Sequence, residues 1–353
     1  MKKRIEQLDY MKCVFILLMI AFHLVYIGDT YPYAKHVVYT FHMPGFLVIS
    51  GYLFNVGKPL RRFLRSILWI FIPYAIMESG YVLAASVLPI REHIDNLTLP
   101  LLLSKLFLNP LGPYWYLHTL MVCGLIYYIS ERLSHVLFSR IIGQSISQSS
   151  IPNPQSFPLQ SPILNPQSLF IKAYLSPLSS LLSPLFFIIA ACALPHCGVA
   201  LSFPNACYFL AGMVLRQYVP DFLPAFPKQP WTILPVILIA CVPAWLDKSH
   251  PAGILMVYFV MSFLMYLCCH TPRRVLIVMT FIGRNTLPLL LFSPLFTILA
   301  KLYQPHLLRL EPSGALFLLV SVFIATAGSL AIAWVSDKLR ISPWFFGREK
   351  SIS

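Results

Sequence analysis

The chain has 353 residues, 58% of them hydrophobic and only 11% charged, with a mean hydropathy of +0.74. A water-soluble domain carries about 45–50% apolar and about 25% charged residues, so a soluble enzyme, a secreted disulfide scaffold and a nucleic-acid-binding domain are excluded. The net charge of +14, from 26 Lys and Arg against 12 Asp and Glu, therefore needs an explanation other than nucleic acid.

Hydropathy predicts helices over residues 10–27, 36–56, 66–88, 114–130, 176–194, 199–216, 231–246, 252–269, 275–300 and 314–335. Ten spans of about 20 residues take up about 200 residues, which leaves only connections and tails, with no room for an appended soluble catalytic domain. The fold class expected is all-α: a polytopic transmembrane bundle of about ten spans, forming one domain over residues 1–353. Lys2, Lys3 and Arg4 before an apolar run look like a secretory signal, yet no small-residue cleavage site follows. The first stretch is expected to be an uncleaved span. Pro177, Pro184, Pro195 and Pro204 interrupt the fifth and sixth stretches, which a bundle tolerates where neighbouring helices satisfy the freed carbonyls.

Charge sets the sidedness. With the N-terminus inside, 19 Lys and Arg fall on the inner side and six on the outer, with Arg284 inside a span. Cytoplasmic loops of membrane proteins carry such an excess, so both termini are expected in the cytoplasm and the basic balance is explained. Residues 144–168 are rich in Ser, Pro, Gln and Asn and repeat Asn-Pro-Gln-Ser; that composition is expected to give a flexible cytoplasmic linker. The eight cysteines show no Cys-x-x-Cys or Cys/His ligand spacing. They read as small buried hydrophobes, and no metal site is expected.

Ionisable side chains inside spans are costly and mark functional sites. Lys12 and His23 are separated by ten residues, which places them on one helical face about 16 Å apart along the axis. A cation at the rim and a proton acceptor deeper on the same stripe suit an anionic donor that reaches inward, although an anchoring lysine and a packing histidine share that spacing. Asp9, three residues before Lys12, reads as a helix cap first and a partner for Lys12 second. His42 lies beside Pro44, while Ser50 and Gly51 supply a small face for close helix contact. Arg62 and Arg65 share a face at the inner surface, suited to phosphate oxygens or to anionic lipid headgroups. Glu78 either assists His23 or pairs within the bundle. Trp115, Tyr116 and His118 form an outer aromatic belt or a platform for a sugar ring.

These residues carry a resemblance. LDYMKCVFILLMIAFH (8–23), FHMPGFLVISGYLF (41–54), RRFLRSILWIFIPY (61–74), GPYWYLHTL (112–120) and FIGRNTLPLLL (281–291) together resemble the acyltransferase 3 family of integral-membrane O-acyltransferases, especially its fucose O-acetylase-like branch. The resemblance implies that His23 is essential for acyl transfer and that Lys12, Arg62 and Arg65 handle the acyl-CoA. The family's His-Met-Pro and Ser-Gly elements fall on His42, Met43, Pro44, Ser50 and Gly51. Cys13 stands where the family usually has glycine. Leu290 and Ser293 stand where it usually has tyrosine and histidine, so the resemblance does not extend to an acceptor-binding role for that helix.

Together these readings predict an enzyme of the cell (inner) membrane, multi-pass, with a catalytic set of His23, His42 and Glu78. Ser50, Trp115, Tyr116 and His118 would bind substrate. No cofactor is held permanently; acyl-CoA, acetyl-CoA foremost, is the co-substrate. Expected partners are the lipid bilayer, a carbohydrate acceptor and envelope-glycan assembly proteins, with no nucleic acid. The rival readings are a secondary transporter of a glycan or small anion, since polar residues in broken helices also mark transport sites, and a structural partner in an envelope-assembly complex.

Overall fold

A computed structural model describes residues 4–87, 93–148, 181–219 and 221–352. The helices are α1 (Glu6–His23), α2 (Val25–Thr30), α3 (Pro32–Leu53), α4 (Leu60–Val87), α5 (Leu99–Phe107), α6 (Trp115–Gln148), α7 (181–193), α8 (Phe203–Tyr218), α9 (Ile233–Ala240), α10 (Pro251–His270), α11 (Arg273–Arg284), α12 (Thr286–Leu310), α13 (Ala315–Lys338) and α14 (Ser342–Phe345). Among the described residues there is no strand. The fold is all-helical.

Four of the described helices, α4, α10, α12 and α13, are long and apolar enough to cross a membrane. On α4, Leu64, Leu68, Ile76 and Leu83 face outward, and on α13 Leu319 and Phe323 do the same. Rows of large exposed apolar side chains suit lipid, not water. α1 and α3 are more polar because they carry Glu6, Asp9 and Lys12, and Lys35, His36 and His42. They are shielded instead: α1 packs against α3, α10, α11, α12 and α13 and forms the centre of the bundle. Its Met11, Phe15, Ile16 and Ile20 are fully buried.

Close approach of backbones sets the packing. A Cβ on Gly51 of α3 would collide with the Phe209 carbonyl oxygen of α8, and one on Gly212 of α8 would collide with the Val48 carbonyl oxygen of α3. The two glycines interlock, the small-residue contact that substitutes in lipid for a hydrophobic driving force between helices. Gly283 of α11 sits in the same way against the Asp9 carbonyl of α1.

The structure departs from the sequence reading at several points. The first stretch ends at His23, where Leu24 is extended, and resumes as α2. α6 runs through 144–148, where a linker was expected, because no proline follows Pro113 until Pro152. The rest of that linker, 149–168, lies outside the described residues, as do 176–180 of the fifth stretch, Arg91 and Lys172. The seventh stretch is not a continuous helix: α9 has eight residues, about 12 Å of rise against a hydrocarbon core of about 30 Å. Short turns flank α9: Phe222 before it packs on Tyr52, and the Ala240 carbonyl at its end accepts the Tyr33 hydroxyl. The ninth stretch is two helices broken at Asn285. α11 rests on the start of α1, with Arg273 paired to Glu6 and Gly283 against Asp9. Four cysteines are exposed (Cys192, Cys197, Cys241, Cys269), so burial describes Cys13, Cys123 and Cys268 better than the set as a whole.

Candidate active site

His23 and His42 are held the same way. Nδ1 of His23 lies 2.7 Å from the Met19 carbonyl oxygen, and Nδ1 of His42 lies 2.7 Å from the Val38 carbonyl oxygen. A carbonyl only accepts, so Nδ1 carries the proton and Nε2 presents a lone pair. The buried Nε2 of His42 has no hydrogen-bond partner among the described residues. A buried polar atom left without a partner at a cavity wall is open to a ligand donor.

The two rings line one cavity of about 350 Å³. α1 contributes Met19 and His23 at its C-terminus, and α3 contributes Tyr39, Thr40, His42, Met43 and Pro44. Trp115 comes from the start of α6, Asn205 from the first turn of α8, and Leu290 from α12. The 246–249 loop before α10 closes the wall. In that loop the Asp247 carboxylate accepts the Ser249 backbone N–H at 2.6 Å, which holds its titration below the ordinary carboxylate range. Burial lowers the Lys248 ammonium, with Asp247 pulling the other way.

A cation cluster occupies the opposite end of α1. The Asp9 carboxylate binds Arg4 at 2.6 Å, Lys12 at 2.8 Å and Arg284 at 3.9 Å. Three cations to one carboxylate leave a positive excess. Asp9 is not the cap: Ile5 occupies the N-cap position, without a side-chain bond. α4 begins at this same end, and its Arg62 and Arg65 are exposed.

The histidine cavity and the cationic cluster thus lie at opposite ends of one central helix. The family model described as an acyltransferase domain matches residues 5–336, nearly the whole chain. The protein belongs to the acyltransferase 3 family. It is accordingly a membrane acyltransferase. No curated protein and no solved structure matches the chain.

Within this acyltransferase 3 protein, the sequence candidates Glu78, Ser50, Tyr116 and His118 lie outside the histidine cavity. Glu78 is fully buried in α4, and its Oε1 accepts the Leu111 backbone N–H at 2.5 Å. It holds the turn that leads into α6 and is not among the cavity-lining residues. Glu78→Ala, which strands that N–H, is expected to cost about 1–3 kcal/mol, read as a lower melting midpoint in detergent. Glu78→Gln keeps the acceptor and should keep most of the stability, with turnover falling less than for a His23 variant. Ser50 and Tyr116 bond to each other at 2.6 Å, tying α3 to α6 beside Trp115. Nε2 of His118 bonds the Phe107 carbonyl at 2.8 Å. Ser293 is buried, and Leu290, at the position of the family's usual tyrosine, presents an apolar side chain to the cavity. Among the described residues no His/Cys/Asp/Glu group has a metal-binding arrangement.

Sequence reasoning missed Asn205, the 246–249 loop and the role of Arg284. Asn205 was visible as a polar residue in an apolar run. The loop carried no periodic signal, and Arg284 had no visible partner until the break at Asn285 brought α11 onto α1.

Proposed function

We propose that the protein moves an acyl group, acetyl foremost, from acyl-CoA to a hydroxyl of a cell-surface carbohydrate or its lipid-linked precursor. In this reading it belongs to the fucose O-acetylase-like branch and sits in the cell (inner) membrane. The chain traverses the bilayer ten times, with the α1 N-terminus and the α13 C-terminus on the cytoplasmic side. The observation that supports the reading best is the His23 ring: its Nδ1 is fixed on Met19 and the ring lines a cavity at the end of α1 away from the Asp9 cluster.

The phosphates of acyl-CoA dock on Lys12, Arg4 and Arg284, with Arg62 and Arg65 beside them, and the long arm of the coenzyme carries the thioester toward His23. Trp115 stacks on the acceptor sugar, and His42 Nε2 accepts a hydrogen bond from a second hydroxyl of that sugar. His23 Nε2 takes the proton from the reacting hydroxyl, whose oxygen attacks the thioester carbonyl carbon. The carbon–sulfur bond breaks, and the imidazolium returns its proton to the departing thiolate.

Thioester consumption by purified protein in detergent separates this reading from transport, because no gradient exists there. An acyltransferase releases free thiol, while an exporter releases none. Arg284→Ala should raise the donor KM about tenfold, as expected for a lost charge-assisted contact, with kcat changed much less. An unchanged donor KM would remove the Asp9 cluster from donor binding.

A further inference from the structure

A second cavity, of about 640 Å³, adjoins the first and shares Trp115, Asn205 and Lys248 with it. Its charge is one-sided. Among the described residues lining it, Lys248 is the single charged one, and Asp247 lines only the first cavity. Lys248 forms no ion pair among the described residues. Its backbone is anchored on α8 by the Tyr208 hydroxyl, which donates to the Lys248 carbonyl at 2.8 Å.

Two further features point to a ligand. Ser202 and Asn205, at the start of the 16-residue helix α8, line this cavity, and the Ser202 side chain makes no capping bond. Pro204 has no N–H and the Ala206 N–H bonds the Ser202 carbonyl, so this helix N-terminus presents the Phe203 and Asn205 N–H groups and a partial positive charge to whatever fills the space. Asn205 is only 3% exposed, yet its Oδ1 has no hydrogen-bond partner among the described residues. A buried amide at a cavity wall is satisfied by a polyhydroxylated ligand, and a half-buried ammonium with no ion-pair partner by an anion.

We propose that the second cavity seats an anionic group of the acceptor, a carboxylate or a phosphate, on Lys248 and the α8 N-terminus. The sugar unit next to that group then lies between Trp115 and Asn205, with its hydroxyl turned toward His23. The proposal rests on the O-acyltransferase reading of the first cavity and narrows its acceptor to an anionic glycan. The anion belongs either to the glycan itself, as a sugar acid, or to a diphosphate that links it to a lipid carrier.

The test is equilibrium binding to the full chain in nanodiscs, with no acyl donor present. Three probes are compared: a galactose trisaccharide, a galacturonate trisaccharide, and the galactose trisaccharide linked to a prenyl diphosphate. The unaltered protein should bind one of the charged probes about tenfold tighter than the neutral one. A preference for galacturonate assigns the anion to the glycan; a preference for the diphosphate probe assigns it to the carrier. Lys248→Gln should abolish the preference while holding the neutral trisaccharide as before, and Lys248→Arg should keep it. Equal affinities for all three probes, or a preference that survives Lys248→Gln, would overturn the proposal. Because no donor is present, this result is separable from acyl transfer, whose failure would appear as absent thioester turnover.

Discussion

His23→Ala is expected to lower acyl-CoA turnover by about a hundredfold to ten-thousandfold, the range that a positioned general base contributes. The donor KM should stay nearly constant, because the Asp9, Lys12 and Arg284 cluster lies at the other end of α1. A collapse in kcat with an unmoved KM would mark a group used in the transition state and not in donor binding. His42→Ala should cost less, and mainly through the acceptor, as expected of the proposed role of His42, which orients a hydroxyl without taking its proton. Release of free thiol from acetyl-CoA, followed against acceptor concentration, reads both effects. If His42→Ala proved the more damaging to donor turnover without acceptor, the two imidazoles would exchange roles.

The largest effect on stability is expected at the α3–α8 crossing. Gly51→Ala and Gly212→Ala each place a methyl group into a backbone carbonyl of the partner helix, where no rotamer change relieves the clash. Overpacking in a tight core costs about 1–3 kcal/mol, and a backbone-on-backbone contact belongs at the upper end of that range. Each variant should lower the melting midpoint in detergent and reduce acyl transfer, because α3 carries His42 and α8 carries Asn205. Gly80→Ala on α4 is the comparison: nothing lies within 4 Å of a Cβ there, and replacing a helical glycine with alanine gains up to about 1 kcal/mol. Equal behaviour of Gly51→Ala and Gly80→Ala would show that the helices do not meet as described.

The residues that carry costly chemistry in lipid were legible in the sequence. His23, His42 and Trp115 stood out as polar or amphipathic groups within apolar runs, and the fold brings them to one cavity. Helix existence was also legible, since long apolar runs leave the backbone few alternatives in a membrane. What the sequence hid depends on contacts between distant segments. Glu78 looked like a partner for an imidazole, but its Oε1 accepts the Leu111 N–H across a turn. Asp9 looked like a cap until Arg4 and Arg284 converged on it. The breaks at Leu24 and Asn285 fall inside apolar stretches that hydropathy reads as continuous, and they place His23 at a helix end and bring Arg284 to α1.

The most direct measurement is acyl transfer in sealed proteoliposomes of uniform orientation. Acetyl-CoA is confined to the compartment facing Lys12, and a carbohydrate acceptor to the compartment facing the His23 cavity. Acetylated acceptor accumulating on the cavity side, and none with His23→Ala, is the expected result. Product that forms only when donor and acceptor share one compartment would contradict a donor cluster and a base placed at opposite ends of α1.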